Sequence, residues 1–235
     1  MNQRLRLFAR SLHDRVMLRL RCSHRFSRWL LRVRVPDSVT AGLWDYTTLL
    51  FKKALRRHAS PGLLVWDLGC GSIAVLAQIA ARCAPKGIVA SDLDPDCVAS
   101  ARNAVAEFEW PIEVIESDLG ERITGAFDLV LFNAPYLPLS RPDRLSSLPG
   151  FHEPERYTRR FGGGADGLDT IRRLFRDPVT RSRLAPGGKL LLGFNRFYLP
   201  QELVERDAAD TGLCVVDRVS AVGNPSLVIV LREVP

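Results

Sequence analysis

Leu63-Leu64-Val65-Trp66-Asp67-Leu68-Gly69-Cys70-Gly71-Ser72 is the stretch that decides the architecture. An apolar run ends in an acid and enters a tight Gly-x-Gly turn. Beyond it Ile73, Ala74, Val75, Leu76, Ile79 and Ala80 carry an apolar face at helical spacing. A strand, a glycine turn and a helix in that order form the first unit of a doubly wound sheet. Such a turn lets a nucleotide-like ligand approach the backbone and the first N–H groups of the helix.

The neighbouring segments repeat the pattern. Ile88-Val89-Ala90-Ser91-Asp92 reads as a second strand ending in an acid. Ile112-Glu113-Val114-Ile115 is a third, closed by Glu116-Ser117-Asp118, and Phe127 to Phe132 is a fourth that runs into Asn133-Ala134-Pro135-Tyr136. The turn Ala185-Pro186-Gly187-Gly188 feeds a fifth, Lys189 to Gly193. Two more, near Leu213–Val219 and Ser226–Leu231, close the chain as an antiparallel pair. Helices are expected through Leu55, from Ser72 to Arg82, from Pro95 through Val105, from Leu168 to Arg176 and from Pro200 to Ala209. The expected fold is α/β: a Rossmann-like, seven-stranded mixed sheet with helices on both faces.

Composition sets the boundaries. At 235 residues the chain is long enough for one well-cored domain with a short arm. It has no apolar run of roughly 18 residues that would span a membrane. Arginines interrupt the N-terminal apolar residues, so no secretory h-region forms. The five cysteines are scattered and form no Cys-x-x-Cys pair, which implies a reduced compartment and no structural zinc. The charge is uneven. Residues 1–34 hold ten arginines against Asp14, a balance of +9, whereas the rest of the chain carries −2.

The division expected is therefore a basic helical arm or cap over residues 1–35 and one domain over 36–235. Leu5, Phe8, Leu12, Val16 and Leu20, then Phe26, Trp29, Leu30 and Val33, give the arm amphipathic spacing. The arm would pack as a cap, meet RNA or a ribosome-like surface, touch an anionic membrane, or serve as a mitochondrial transit segment. The packed cap is the reading preferred. Residues 137–162, rich in proline and arginine, read as a substrate-facing lid, with His152 and Glu153 as a weak acid–base candidate.

Together, Asp67-Leu68-Gly69-Cys70-Gly71, Asp92, Asp118 and Asn133-Ala134-Pro135-Tyr136 resemble the motifs of class I S-adenosylmethionine-dependent methyltransferases. The Asn-x-Pro-Tyr segment and Gly163-Gly164-Ala165-Asp166-Gly167 resemble the branch that methylates planar amide or exocyclic amine nitrogens. The glutamine N5-methyltransferases of peptide-chain release factors are its best-known members. The resemblance spans residues 36–232 and implies S-adenosyl-L-methionine as cofactor. Asp67 would meet the methionine ammonium or order the turn, and Gly69 and Gly71 would permit close approach. Asp92, with Leu93 beside it, would accept from the ribose hydroxyls. Asp118 would accept from the adenine amine, with Leu119 donating a backbone N–H. Thr47 matches a family threonine that sits over the cofactor, and reads equally well as a residue of a helix's first turn.

The chemistry implied is orientation rather than strong-base catalysis. An amide nitrogen is a weak nucleophile because its lone pair is delocalised. The Asn133 side-chain oxygen and the Ala134 carbonyl would hold its N–H groups, Asn133 would also border the cofactor, Pro135 would stiffen the turn and Tyr136 would stack on the planar substrate. Two departures stand out. The family has two prolines after the Asn, the first where this chain has Ala134, and a third glycine where it has Ile73, a β-branched residue expected to crowd the cofactor or force the turn onto a different path.

Glutamine methylation of a release-factor-like protein is the first reading, and the family offers a small activating partner protein as precedent. Exocyclic amines of rRNA, tRNA or DNA bases, a small molecule, and a non-catalytic scaffold remain as alternatives. The compartment expected is cytoplasmic, or mitochondrial if the arm is a transit segment.

Overall fold

The computed structural model describes residues 16, 19–39, 44–140 and 161–234. Leu5, Phe8 and Leu12 of the arm, and His152 and Glu153 of the expected lid, lie outside these residues.

Seven strands form one sheet in the order β3-β2-β1-β4-β5-β7-β6. They are β1 (Leu64–Leu68), β2 (Gly87–Asp92), β3 (Ile112–Glu116), β4 (Phe127–Asn133), β5 (Leu184–Asn195), β6 (Leu213–Ser220) and β7 (Ser226–Glu233). The first five run parallel, and β7 is antiparallel to both β5 and β6. This is the mixed, Rossmann-like sheet expected. Strand order reverses between β1 and β4, and in such sheets a ligand crevice opens at the carboxyl ends of the strands flanking that switch point.

The helices are α1 (His24–Leu31), α2 (Tyr46–His58), α3 (Val75–Ala81), α4 (Pro95–Glu107), α5 (Asp169–Arg176), α6 (Pro178–Arg181) and α7 (Gln201–Ala209). Central strands are apolar on both faces because both are covered. Leu129 and Leu131 of β4 join one core with Leu31, Phe51, Ile79 and Val98, beneath α1 to α4. Val130 and Phe132 join the other with Ile171, Phe175 and Val204, beneath α5 and α7. The period-two alternation sends neighbouring side chains to opposite cores.

Three local features depart from the sequence expectation. The helix from Ser72 to Arg82 is a 3-10 turn, Gly71–Ile73, followed by α3, with Ala74 between them in the left-handed region at φ 47°. The Ala-Pro-Gly-Gly turn lies inside β5. Leu184 already pairs with Phe127, and the register shifts before Leu129 meets Lys189, so the two glycines form an irregularity in a longer strand. α6 follows α5 directly; Asp177 caps it, accepting from Val179 and Thr180 N–H groups.

The described arm shares the core. Leu31, Val33 and Val35 are buried with Trp44, Phe51 and Ile73. Gln78, buried in α3, accepts from Arg34 N at 2.8 Å and donates to Arg34 O at 3.1 Å. Among the described residues no helix is long and apolar enough to cross a membrane.

Candidate functional site

The carboxyl ends of β1, β2 and β4 bring most of the expected residues together. Gly69 and Gly71 take φ of +67° and +64°, a region that costs other residues roughly 1–2 kcal/mol. A Cβ on Gly69 would also come within 3.2 Å of the Phe132 ring. Asp92 shapes this turn from the neighbouring strand: its Oδ2 accepts from Gly71 N at 2.8 Å and its Oδ1 from Asp94 N at 2.9 Å. Cys70 N donates to Ser91 O at 2.8 Å, which fastens the turn to the end of β2. The Cys70 thiol is buried and pushed well above its ordinary pKa by burial and then by Asp67 and Asp92, so it supplies no thiolate.

Asp67 is the buried acid of the site. Its Oδ2 accepts from Ala77 N at 2.8 Å and so satisfies a first-turn donor of α3. Its Oδ1 is buried with no hydrogen-bond partner. Burial, with the Asp92 carboxylate adding to it, pushes the carboxyl up to about 7 against the opposing pull of the Ala77 N–H.

Ile73 does not stand in the turn's open side. It is buried in the core under α1 to α4, and its carbonyl accepts from Gln78 Nε2 at 2.7 Å. The left-handed conformation falls instead on Ala74, which is small enough to adopt it at a modest cost. Of the two outcomes expected of a β-branched residue here, the side chain does not crowd the turn but points into the core, and the left-handed step falls on Ala74.

Asn133 ends β4. Its Oδ1 is buried without a partner. Ala134 N donates to Gly193 O at 3.2 Å, which ties the Asn-Ala-Pro-Tyr turn to β5. The chain then pairs with the glycine segment: Leu137 N donates to Phe161 O at 2.9 Å, Gly163 N to Leu137 O at 3.0 Å and Leu139 N to Gly164 O at 2.9 Å. A Cβ on Gly163 would sit 2.3 Å from Gly167 O and 2.6 Å from Pro135 O, and one on Gly167 would sit 2.6 Å from Tyr136 O. The Gly-Gly-x-Asp-Gly segment is thus a backbone clasp behind the Asn-x-Pro-Tyr turn. Asp166 locks it, accepting from Leu168 N at 2.9 Å and from Arg172 Nη1 at 2.6 Å.

Thr47 reaches the site because α2 approaches β5 closely. A Cβ on Gly193 would lie 2.4 Å from the Phe51 ring and 2.6 Å from Thr47 Cγ2. A capping box starts α2: Thr48 N donates to Asp45 Oδ1 at 2.8 Å and Asp45 N to Thr48 Oγ1 at 3.2 Å. Thr47 is fully buried, and its hydroxyl lies close to the Tyr136 phenol without a well-formed hydrogen bond to it. The phenol is pushed far up, first by burial and then by the Asp45 carboxylate, so it stays neutral.

Asp118 and Leu119 stand apart from this group. Asp118 Oδ2 accepts from Arg173 Nη2 at 2.8 Å, and Leu119 is held at φ 46°. With Glu121 they form one wall of a cavity of about 640 Å³ whose other wall is Asp169, Arg172, Arg173 and Arg176 of α5. Asn133, Asp92 and the two turn glycines do not line it.

The sequence reading missed two contributors. Tyr198, beyond the end of β5, lies 6.0 Å from the Tyr136 ring. Arg21 of the arm stacks over Trp44 at 5.9 Å and Tyr46 at 5.5 Å, and its charge bears on the Tyr136 phenol. An aromatic pair, Phe197-Tyr198, directly after a strand next to β4 was the available signal for the first. Nothing in the sequence pointed to the second. Among the described residues no group of three or more His, Cys, Asp or Glu could hold a metal ion.

A family profile described as methyltransferase small domain matches residues 38–140. A release factor glutamine methyltransferase of Deinococcus radiodurans is 33% identical over 162 residues, covering 68% of this chain and 54% of that protein. The chain carries the class I methyltransferase fold. It is related in sequence, over part of its length, to the glutamine N5-methyltransferases. Ribosomal RNA small subunit methyltransferase C of Mannheimia succiniciproducens is 25% identical over 178 residues, covering 75% of this chain and 44% of that protein. The chain therefore spans about half the length of these curated relatives. A methyltransferase structure from Pyrococcus furiosus superposes with a TM-score of 0.61 at 15% identity, over 97% of this chain and 99% of that one.

Proposed function

We propose that this protein is an S-adenosylmethionine-dependent N-methyltransferase whose substrate is a glutamine side-chain amide of a protein, of the kind a peptide-chain release factor presents. The observation that carries the proposal is Asn133 Oδ1, a buried acceptor without a partner at the end of β4, on a turn clasped from behind. A buried acceptor left unpaired costs roughly 1–3 kcal/mol, so an N–H from a substrate would recover that cost. The partial relationship to a release factor glutamine methyltransferase supports the same reading.

The residues present fit the cofactor. Asp67 Oδ1, buried and unpartnered, suits an ammonium. Gly69 and Gly71 keep the turn backbone accessible, and a Cβ at Gly71 would enter open space. Asp92 stands half-buried beside the turn with its carboxylate facing it, and Leu93 is exposed. Asp118 and Leu119 would reach the adenine only from the separate cavity of about 640 Å³ that they line, where Asp118 is already paired with Arg173. When bound, the cofactor would supply an electrophilic methyl on a sulfonium that can leave as a neutral thioether, and the substrate nitrogen would give up one proton for the methyl it gains.

The chain's own part is positioning. Asn133 Oδ1 and the Ala134 carbonyl accept the two amide N–H groups, which turns the nitrogen lone pair toward the methyl. Substituting alanine for proline at 134 leaves that carbonyl in place, and the Gly163–Gly167 clasp supplies rigidity that a second proline would give. Tyr136 and Tyr198 offer faces for a planar group. A second reading, methylation of an exocyclic amine of an RNA base, uses the same two acceptors. It is favoured by the relative that acts on ribosomal RNA and by Arg21 near the site.

The test is transfer of a labelled methyl group from S-adenosylmethionine into a cell extract, with wild type beside Asn133→Ala. Label in a protease-sensitive band of release-factor size supports the glutamine reading, and label in nuclease-sensitive material replaces it with the RNA reading. Asn133→Ala should lower transfer by on the order of a hundredfold while cofactor binding persists. Equal transfer by the variant would remove Asn133 from the mechanism.

A further inference from the structure

α1 presents two unlike faces. Ser27 and Leu31 are buried and Phe26 and Leu30 half-buried against the core. Arg25, Arg28, Trp29 and Arg32, at helical spacing, are all exposed on the other side. Trp29 leaves 73% of its surface in solvent, with its ring 5.6 Å from Phe26.

The positive charge continues past the C-terminal end of the helix. Lys52 Nζ donates to Leu30 O at 2.5 Å and Arg82 Nη1 to Arg32 O at 3.2 Å. Burial, then Arg56, Arg32 and Arg82, hold the Lys52 ammonium below its ordinary pKa, and no acid opposes them. Among the described residues none of Arg25, Arg28, Arg32, Arg56 and Arg82 makes an ion pair, whereas Arg57, Arg172, Arg173, Arg181 and Arg218 each pair with an acid. At the other end of the track, Arg21 lies on Trp44 and Tyr46 within reach of Tyr136. Cations without an ion pair among the described residues thus run along α1 to the end of α3, with Asp37 beside His24 at the start of the helix and Asp45 near Tyr136 as the acids at the other end.

We infer that this track binds the backbone of single-stranded or looped RNA, with Trp29 stacking on a base. Interleaved arginines and an exposed aromatic ring are the combination that grips phosphates and bases together. An anionic membrane fits less well, because one ring flanked by three cations offers little apolar area to insert. The chain's own first fifteen residues carry Arg4, Arg6, Arg10 and Arg15 against Asp14, a net positive charge like that of the track. The inference is independent of which nitrogen Asn133 serves. It places the methylated group on, or next to, a ribonucleoprotein surface.

The test is fluorescence anisotropy of a labelled RNA hairpin with the full chain, at 50 to 200 mM salt. Engagement of four phosphates predicts a loss of affinity of roughly fiftyfold across that range. Trp29→Ala should weaken binding by about tenfold at every salt concentration. The Arg25→Ala/Arg28→Ala double variant should flatten the salt dependence. Both changes are on exposed positions, and unchanged melting temperatures would confirm intact folding. RNA affinity equal to wild type in both variants would overturn the inference, as would binding to phosphatidylserine vesicles with none to RNA. Asn133→Ala should retain full RNA affinity while losing transfer, so failure of the methylation reading and failure of this one remain distinguishable.

Discussion

Asp67 shows how one residue can be correct in place and richer in role than its spacing suggests. The sequence put an acid beside the glycine turn, with two jobs open: meeting an ammonium or ordering the turn. In the structure Oδ2 orders α3 through Ala77 N, and Oδ1 is left over, buried and unpaired. With its pKa pushed up to about 7 from 3.8, the folded state keeps a proton that the unfolded state has released over the intervening pH range. The sign follows: this group's contribution to stability falls as pH rises from about 4 to about 7. Asp67→Asn keeps an acceptor for Ala77 N and removes the titration. Thermal melts of the cofactor-free protein between pH 5 and 8 should lose that component of their slope in the variant. A cation placed beside Oδ1 lowers the carboxyl's pKa, so affinity for S-adenosylmethionine should rise from pH 6 to pH 8 in wild type and much less in Asp67→Asn. Calorimetric titrations giving parallel pH profiles for the two proteins would remove Asp67 from cofactor recognition. Ile73 teaches the complementary lesson. Its β-branch was visible, but its direction into the core depends on Ala74 accepting the left-handed backbone, which no periodicity reveals.

At the scale of elements, the strands were legible because alternation and strand-end acids mark them directly. All seven fall where apolar runs predicted, and only their ends and the register shift within β5 differ. The clasp was half legible. The glycines of 163–167 were visible as a family mark, while their purpose rests on pairing with 137–140, more than twenty residues earlier in the chain, a contact that sequence spacing does not encode. That purpose is testable. Gly163→Ala puts a methyl 2.3 Å from Gly167 O, so clasp and turn must separate. Overpacking of this kind costs roughly 1–3 kcal/mol. The expected result is a lowered melting temperature and a loss of methyl transfer larger than the loss of cofactor affinity, because the turn carrying Asn133 moves and the Gly69–Gly71 turn does not. Gly212→Ala is the control. Its φ is left-handed at +79° but its Cβ would meet open space, so it should cost only backbone strain of about 1 kcal/mol with normal transfer. Equal effects on transfer from both substitutions would show that the clasp does not position the turn.

For the whole molecule, the unresolved question in the sequence was whether the basic N-terminal segment stands apart from the sheet domain. A basic amphipathic helix has one periodicity whether its apolar side meets a core, an RNA-binding partner or a lipid surface, so pattern alone leaves the choice open. In the described part of the segment Leu31 and Val33 are fully buried in the core shared with α2 and α3, and Gln78 exchanges two hydrogen bonds with the Arg34 backbone. The helices it covers are also those that hold Thr47 and receive the Asp67 carboxylate. Damage to the arm's core contacts should therefore reach the cofactor site. Leu31→Ala removes a fully buried side chain and should destabilise the protein by about 2–5 kcal/mol. Urea unfolding followed by far-ultraviolet circular dichroism and by tryptophan fluorescence should give one coincident transition in wild type, shifted to lower denaturant with unchanged slope in Leu31→Ala. S-adenosylmethionine should raise the midpoint of both proteins by mass action. An early, separate transition for the arm, with the main one unmoved by Leu31→Ala, would mean that residues 19–35 are an appendage. In that case the basic track along α1 would be carried by a mobile segment rather than fixed to the sheet domain at the edge of its substrate turn.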